Sequence, residues 1–143
     1  MNAEDNKRAV MATWKAFASR DPDQIGPRFT QDAEWHAPPG NATAMALSFT
    51  KPMMGKADIV WFIADDLGKL FSRDVKVEFT GIYGEGNVVV VEQRFQATLS
   101  NGGYYDNDYC FVLELENGLI RRIREYMDTA KGHRMIFAAA HAD

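Results

Sequence analysis

The stretch Asn107 to Lys131, NDYCFVLELENGLIRRIREYMDTAK, sets several ionisable side chains into an apolar hairpin pattern. Tyr109, Phe111, Leu113 and Leu115 alternate onto one face of a strand, and Glu116-Asn117-Gly118 supplies a turn. A second strand follows from Leu119. On it Ile123 and Met127 share a face with Glu125, whereas Arg122, Arg124 and Asp128 take the other. A carboxylate among apolar neighbours needs either a partner or a proton, because burial disfavours its charged form. Glu125 is therefore a candidate general acid/base titrating toward neutral pH, the alternative being an internal ion pair with Arg94 or Arg124.

Three further polar residues qualify as site candidates. Asn107 lies on the face of Tyr105, Tyr109 and Phe111, while Asp108 lies on that of Cys110 and Val112; alternation lets only one of them face a pocket unless a bulge intervenes. A structural hydrogen bond is an equal alternative for either. His36 has an ordinary pKa of about 6.5 and suits proton transfer, although Trp35 and Ala37 take the face expected inside. Trp14, Phe17, Trp35, Phe62 and Tyr83 are expected as core or as the wall of an apolar ligand site, with Arg94 and Asn107 as its polar contacts.

Other chemistries lack their residues. His133 and His141 fall in a tail expected over about 132–143, and no HExxH, cysteine pair or calcium-loop spacing occurs, so no metal is expected. No glycine-rich phosphate loop is present, and no cofactor is expected.

Elements that would position these residues can be read in order. With 143 residues, 46% of them apolar, the chain suits a single domain with a sizeable core. A net charge of -4 argues against nucleic acid or an anionic membrane as partner. Arg121, Arg122 and Arg124 form a short basic run, which reads as a solvated or ion-paired strand face. The lone Cys110 cannot form an internal disulfide, and MNAEDNKRAV has no signal-peptide pattern, so a cytoplasmic protein is expected.

Val10, Met11, Trp14, Phe17 and Ala18 predict a helix over Ala3 to about Ser19. Asp21-Pro22 opens a short second helix, and Ala33 to Ala37 predicts a brief strand ended by Pro38-Pro39-Gly40. Asn41 to Gly55 reads as a long apolar connection of the kind that forms lids. Ile59, Phe62, Ile63, Leu67 and Leu70 predict a helix from about Lys56 to Phe71. Strands then follow over Val75 to Tyr83, Val88 to Leu99 and Tyr104 to Glu116, joined by turn signals. Helices first and an antiparallel meander afterwards predict an α+β domain whose curved sheet wraps onto three N-terminal helices.

That order of elements, with FTQDAEWHAPPG at Phe29 to Gly40 and the closing REYMDT, resembles the nuclear transport factor 2-like superfamily, in particular its SnoaL-like, ketosteroid isomerase-related branch. The resemblance implies a cone-shaped α+β barrel with an apolar pocket, and a homodimer formed through the outer sheet face. Hydrophobic residues on both faces of Tyr109 to Leu115 agree with that pairing.

The isomerases' carboxylate base would fall at Ala37 and their phenol at Thr13; only Asp108 matches, as the acid leading into the aromatic strand. Steroid isomerisation is accordingly not expected. The limonene epoxide hydrolases' Asp-Arg-Asp arrangement also departs, at Arg94-Phe95-Gln96, although Glu125 matches the carboxylate of their closing strand. The resemblance thus implies a cofactor-independent enzyme that moves a proton on a small apolar or aromatic metabolite, as isomerase, cyclase or lyase. Glu125 or Asp108 would be its acid/base. A non-catalytic small-molecule-binding dimeric domain and a purely structural dimerisation domain are the alternatives.

Overall fold

The computed structural model describes residues 2–49 and 51–138; His141 lies outside them. Helix α1 spans Ala3–Ser19, with the Asn2 side chain accepting from Asp5 N and with Glu4 and Asp5 in its first turn. Arg20, left-handed at φ 56°, ends it, and the Asp21 side chain caps α2, Pro22–Ile25. A 3-10 turn over Gly26–Arg28 leads into β1, Phe29–His36, which begins earlier than its sequence pattern suggests.

The expected long connection carries structure of its own. Asn41 caps a short helix α3, Ala42–Ala46, and β2, Met53–Met54, pairs antiparallel with Glu34 and Trp35 of β1. The next helical run is interrupted: α4, Lys56–Trp61, passes through a π-helical segment, Phe62–Asp66, into α5, Leu67–Leu70. Widening the helix there sets both Phe62 and Ile63 into the core. Phe71, expected to end the helix, instead opens β3, Phe71–Glu85.

Strands β4, Val88–Leu99, β5, Tyr104–Glu116, and β6, Leu119–Met127, complete the sheet. Its order is β2-β1-β6-β5-β4-β3, so it stays open between β2 and β3. β3 to β6 form the expected antiparallel meander, whereas β1 runs parallel to β6, pairing Trp35 with Ile123. Register shifts along β3 and β4 let this pair bend over the helices. Within the stretch expected as a tail, residues 132–138 are helical: α6, Thr129–Ala138, packs against α3 and β5 and buries Ile136. No helix among the described residues is long and apolar enough to cross a membrane.

Two apolar clusters fill the space between sheet and helices. The larger joins α1 and the α4–α5 run to Trp35, Val89, Val91, Phe111 and Ile123. The smaller sits beneath α6 around Leu70, Phe71, Leu99 and Tyr105.

Candidate active site

A cavity of about 540 Å³ opens between α1, the α4–α5 run and the inner face of the sheet. Trp14 and Phe17 reach it from α1, Trp35 from β1 and Phe62 from the π-helical segment. The sheet adds Phe79, Gln93, Phe95, Tyr109, Phe111 and Glu125. Aromatic rings line it edge to face: Trp35 meets Phe62 at 6.0 Å and Phe111 at 6.1 Å between centroids, and Trp14 meets Phe111 at 5.0 Å.

Glu125 is the acidic residue in this wall. Its position follows from alternation along β6: Ile123 and Glu125 point inward, while Arg122 and Arg124 point out. The cavity reaches the carboxyl, and protein encloses it on its remaining sides. Trp35 Nε1 donates to Glu125 Oε1 at 2.8 Å. Burial pushes the Glu125 carboxyl up to about 7, the indole hydrogen bond pulling the other way without cancelling it. The alternative considered above, an ion pair of Glu125 with Arg94 or Arg124, does not form among the described residues. Arg94 is held by Asp106 through two hydrogen bonds of 2.9 and 2.6 Å, and Arg124 pairs with Glu114.

A second polar group lies beside the cavity. The hydroxyls of Tyr105 and Tyr109 are 2.6 Å apart, and Asn107 Nδ2 donates to Tyr105 Oη at 3.1 Å and to the Asp128 carbonyl at 3.0 Å. Burial raises both phenols above their ordinary range, Tyr109 well above it, so they remain protonated donors. Asn107 is fully buried, yet it buttresses the tyrosines and ties β5 to the start of α6 instead of lining the cavity.

The remaining candidates sit elsewhere. Asp108 is exposed on the opposite face of β5, since Asn107 took the inner position and no bulge intervenes between β4 and β5. A role for Asp108 as the acid/base of this cavity is thereby corrected. His36 is half-buried on the outer side of β1, with Nε2 3.0 Å from Glu34 Oε1. It too is removed from the cavity. Tyr83 is 56% exposed near the end of β3, and Arg94 is exposed beside Asp106, so neither lines the cavity. The basic run is ion-paired: Arg121, Arg122 and Arg124 all bind Glu114, and Arg122 also reaches Glu34 at 3.4 Å.

Gln93 is a further buried polar residue of this wall. Val89, Val91, Gln93, Phe95, Ala97 and Leu99 alternate onto the inner face of β4, and that period of two is the signal that places a lone amide among apolar residues.

Comparison with known proteins agrees with this architecture. An NTF2-like protein of unknown function from Burkholderia pseudomallei K96243 superimposes with a TM-score of 0.79 at 20% identity, over 92% of this chain and 97% of that one. TerC co-crystallised with polyporic acid gives 0.78 at 23% identity, over 92% and 98%. An LEH-like epoxide hydrolase from M. tuberculosis gives 0.74 at 17% identity, over 98% and 95%. At such identities the likeness is one of fold. No curated protein matches significantly in sequence. The SnoaL-like domain profile matches residues 9–123, stopping two residues short of Glu125. With most of the chain matched and the fold shared with NTF2-like structures, the chain belongs to the SnoaL-like domain family.

Proposed function

We propose that the protein is a cofactor-independent enzyme of proton transfer, acting in the cytoplasm on a small apolar or aromatic carbonyl compound, with Glu125 as acid/base. One observation carries this reading: a single carboxyl, raised to about 7 by burial, faces a 540 Å³ aromatic cavity and is held by one indole N–H. Such a pKa keeps a large fraction of both forms present near neutral pH, which suits a group that must take a proton and give it back.

In the forward step the Glu125 carboxylate removes a proton from the carbon next to a ligand carbonyl. The C–H electron pair moves into the carbonyl to give an enolate, and Glu125 becomes a neutral acid. It then returns the proton, either to the same carbon or to one further along a conjugated system, which isomerises the ligand. Trp35 Nε1 fixes the carboxyl's rotamer and leaves its second oxygen for the substrate.

Exchange of α-protons for deuterium, followed by NMR on aryl ketones such as 1-tetralone in D₂O, tests this directly. Wild type should accelerate exchange, with a rate that rises with pH through a midpoint near 7, where the carboxylate form takes over. Glu125→Gln should lose on the order of a hundredfold. Undiminished exchange in that variant would sink the assignment. Ligand binding with no exchange on any carbonyl compound would leave a small-molecule-binding domain of the same fold.

A further inference from the structure

The cavity holds one buried polar group that the proton-transfer reading does not use. Gln93 is 3% exposed and lines the cavity, yet its Nε2 finds no hydrogen-bond partner among the described residues. Its cross-strand neighbours do not pair with it. Tyr109, directly opposite on β5, spends its hydroxyl on Tyr105, and Phe79, opposite on β3, has nothing to offer. Glu125 stands two strands away on β6. Among the described residues, the other buried side-chain nitrogen without a partner, Arg122 Nε, is away from the cavity.

A buried amide donor left unpaired costs stability, and a leucine or methionine of similar size would fill the same position without that cost. The donor makes sense where something enters the cavity to accept from it. We propose that Gln93 is the polar anchor of the ligand: its Nε2–H donates to a carbonyl oxygen carried by an otherwise apolar, uncharged ring compound.

The sheet register also sets a scale for that ligand. Gln93 stands opposite Tyr109, and Glu125 stands opposite Phe111 on the other side of the same strand. The two polar residues are therefore two strand spacings apart and displaced by two residues, on the order of 10 Å at the backbone. Side chains projecting from both positions shorten the gap, so that one ring ketone can set its oxygen at Gln93 and the carbon beside that carbonyl at Glu125. This inference rests on the cavity being a ligand site, as proposed above, and adds which chemical class it selects.

The test compares 1-tetralone with tetralin, the same bicycle lacking the oxygen, by ligand-observed NMR titration of wild type, Gln93→Leu and Gln93→Met. Wild type should prefer the ketone by about tenfold, the worth of one hydrogen bond to a buried donor. Both variants should bind the two compounds equally. Equal affinities in wild type, or a ketone preference that survives both substitutions, would overturn the anchor while leaving the cavity as a ligand site. Failure of wild type to bind either compound would overturn the ligand site and the anchor together. Thermal midpoints supply an independent check: at least one variant should melt at or above wild type. Lower midpoints in both would mean that the amide has a partner within the protein, and would also overturn the inference.

Discussion

At the scale of single residues, Glu125 ties the stability of the fold to its chemistry. Its folded-state pKa, about 7, lies above the ordinary carboxyl value of 4.5, because the neutral form suits the cavity better than the charged one. The native state therefore binds the proton more tightly than the unfolded chain does. That preference stabilises the fold fully below about pH 4.5 and is lost as pH rises through about 7. Glu125→Gln removes the titration while keeping an acceptor for Trp35. Chemical denaturation across pH should thus show wild type losing about 3 kcal/mol relative to the variant between pH 4 and pH 8, the equivalent of the raised pKa. A constant difference between the two would show that the carboxyl is not desolvated. Glu125 was legible because its strand alternates cleanly between apolar and charged residues. Its partner was not: Trp35 lies 90 residues earlier, and only the parallel pairing of β1 with β6 brings indole and carboxyl together. The same alternation placed Asn107 and Asp108 on opposite faces, but which face looked inward depended on what packed there.

At the scale of elements, the β5–β6 hairpin shows how local chemistry fixes the register that aims Glu125. Asn117 and Gly118 both have positive φ, 51° and 79°, as a two-residue turn of the primed kind requires. Here the sequence signal was complete, and β4, β5 and the start of β6 fall where their patterns put them. Gly118→Ala should destabilise the protein by about 1–2 kcal/mol, the cost of a Cβ in left-handed backbone, measured by denaturant midpoint. Unchanged stability would show that the turn relaxes without strain. Elements that depend on distant packing were harder to read. Residues 41–55 have no period because their short helix and two-residue strand are stabilised by capping at Asn41 and by pairing with β1. The π-helical segment keeps an apolar stripe that reads like ordinary helix, and α6 is held chiefly by burying Ile136 against the smaller cluster.

At the scale of the whole molecule, the outer face of the sheet is the surface whose composition asks for a partner. Rows running across the strands set Tyr83, Val90 and Val112 beside Arg124, and Glu92 and Cys110 beside Tyr126. Tyr83 and Tyr126 are 56% and 51% exposed, so an aromatic and aliphatic centre is left open, rimmed by both signs of charge. A second copy related by a twofold axis covers such a patch with itself, setting the Glu92 row of one copy against the arginines of the other. We therefore expect the 16.1 kDa chain to behave as a homodimer of twice that mass in light scattering at micromolar concentration. Val112→Glu places a carboxylate at the patch centre, next to its own copy across the axis, and should shift the mass to that of one chain. Because Val112 faces away from the cavity, the monomeric variant should retain ligand binding there. A monomeric wild type at micromolar concentration would refute the dimer, and loss of ligand binding in the monomeric variant would show that pairing is needed to hold the cavity open.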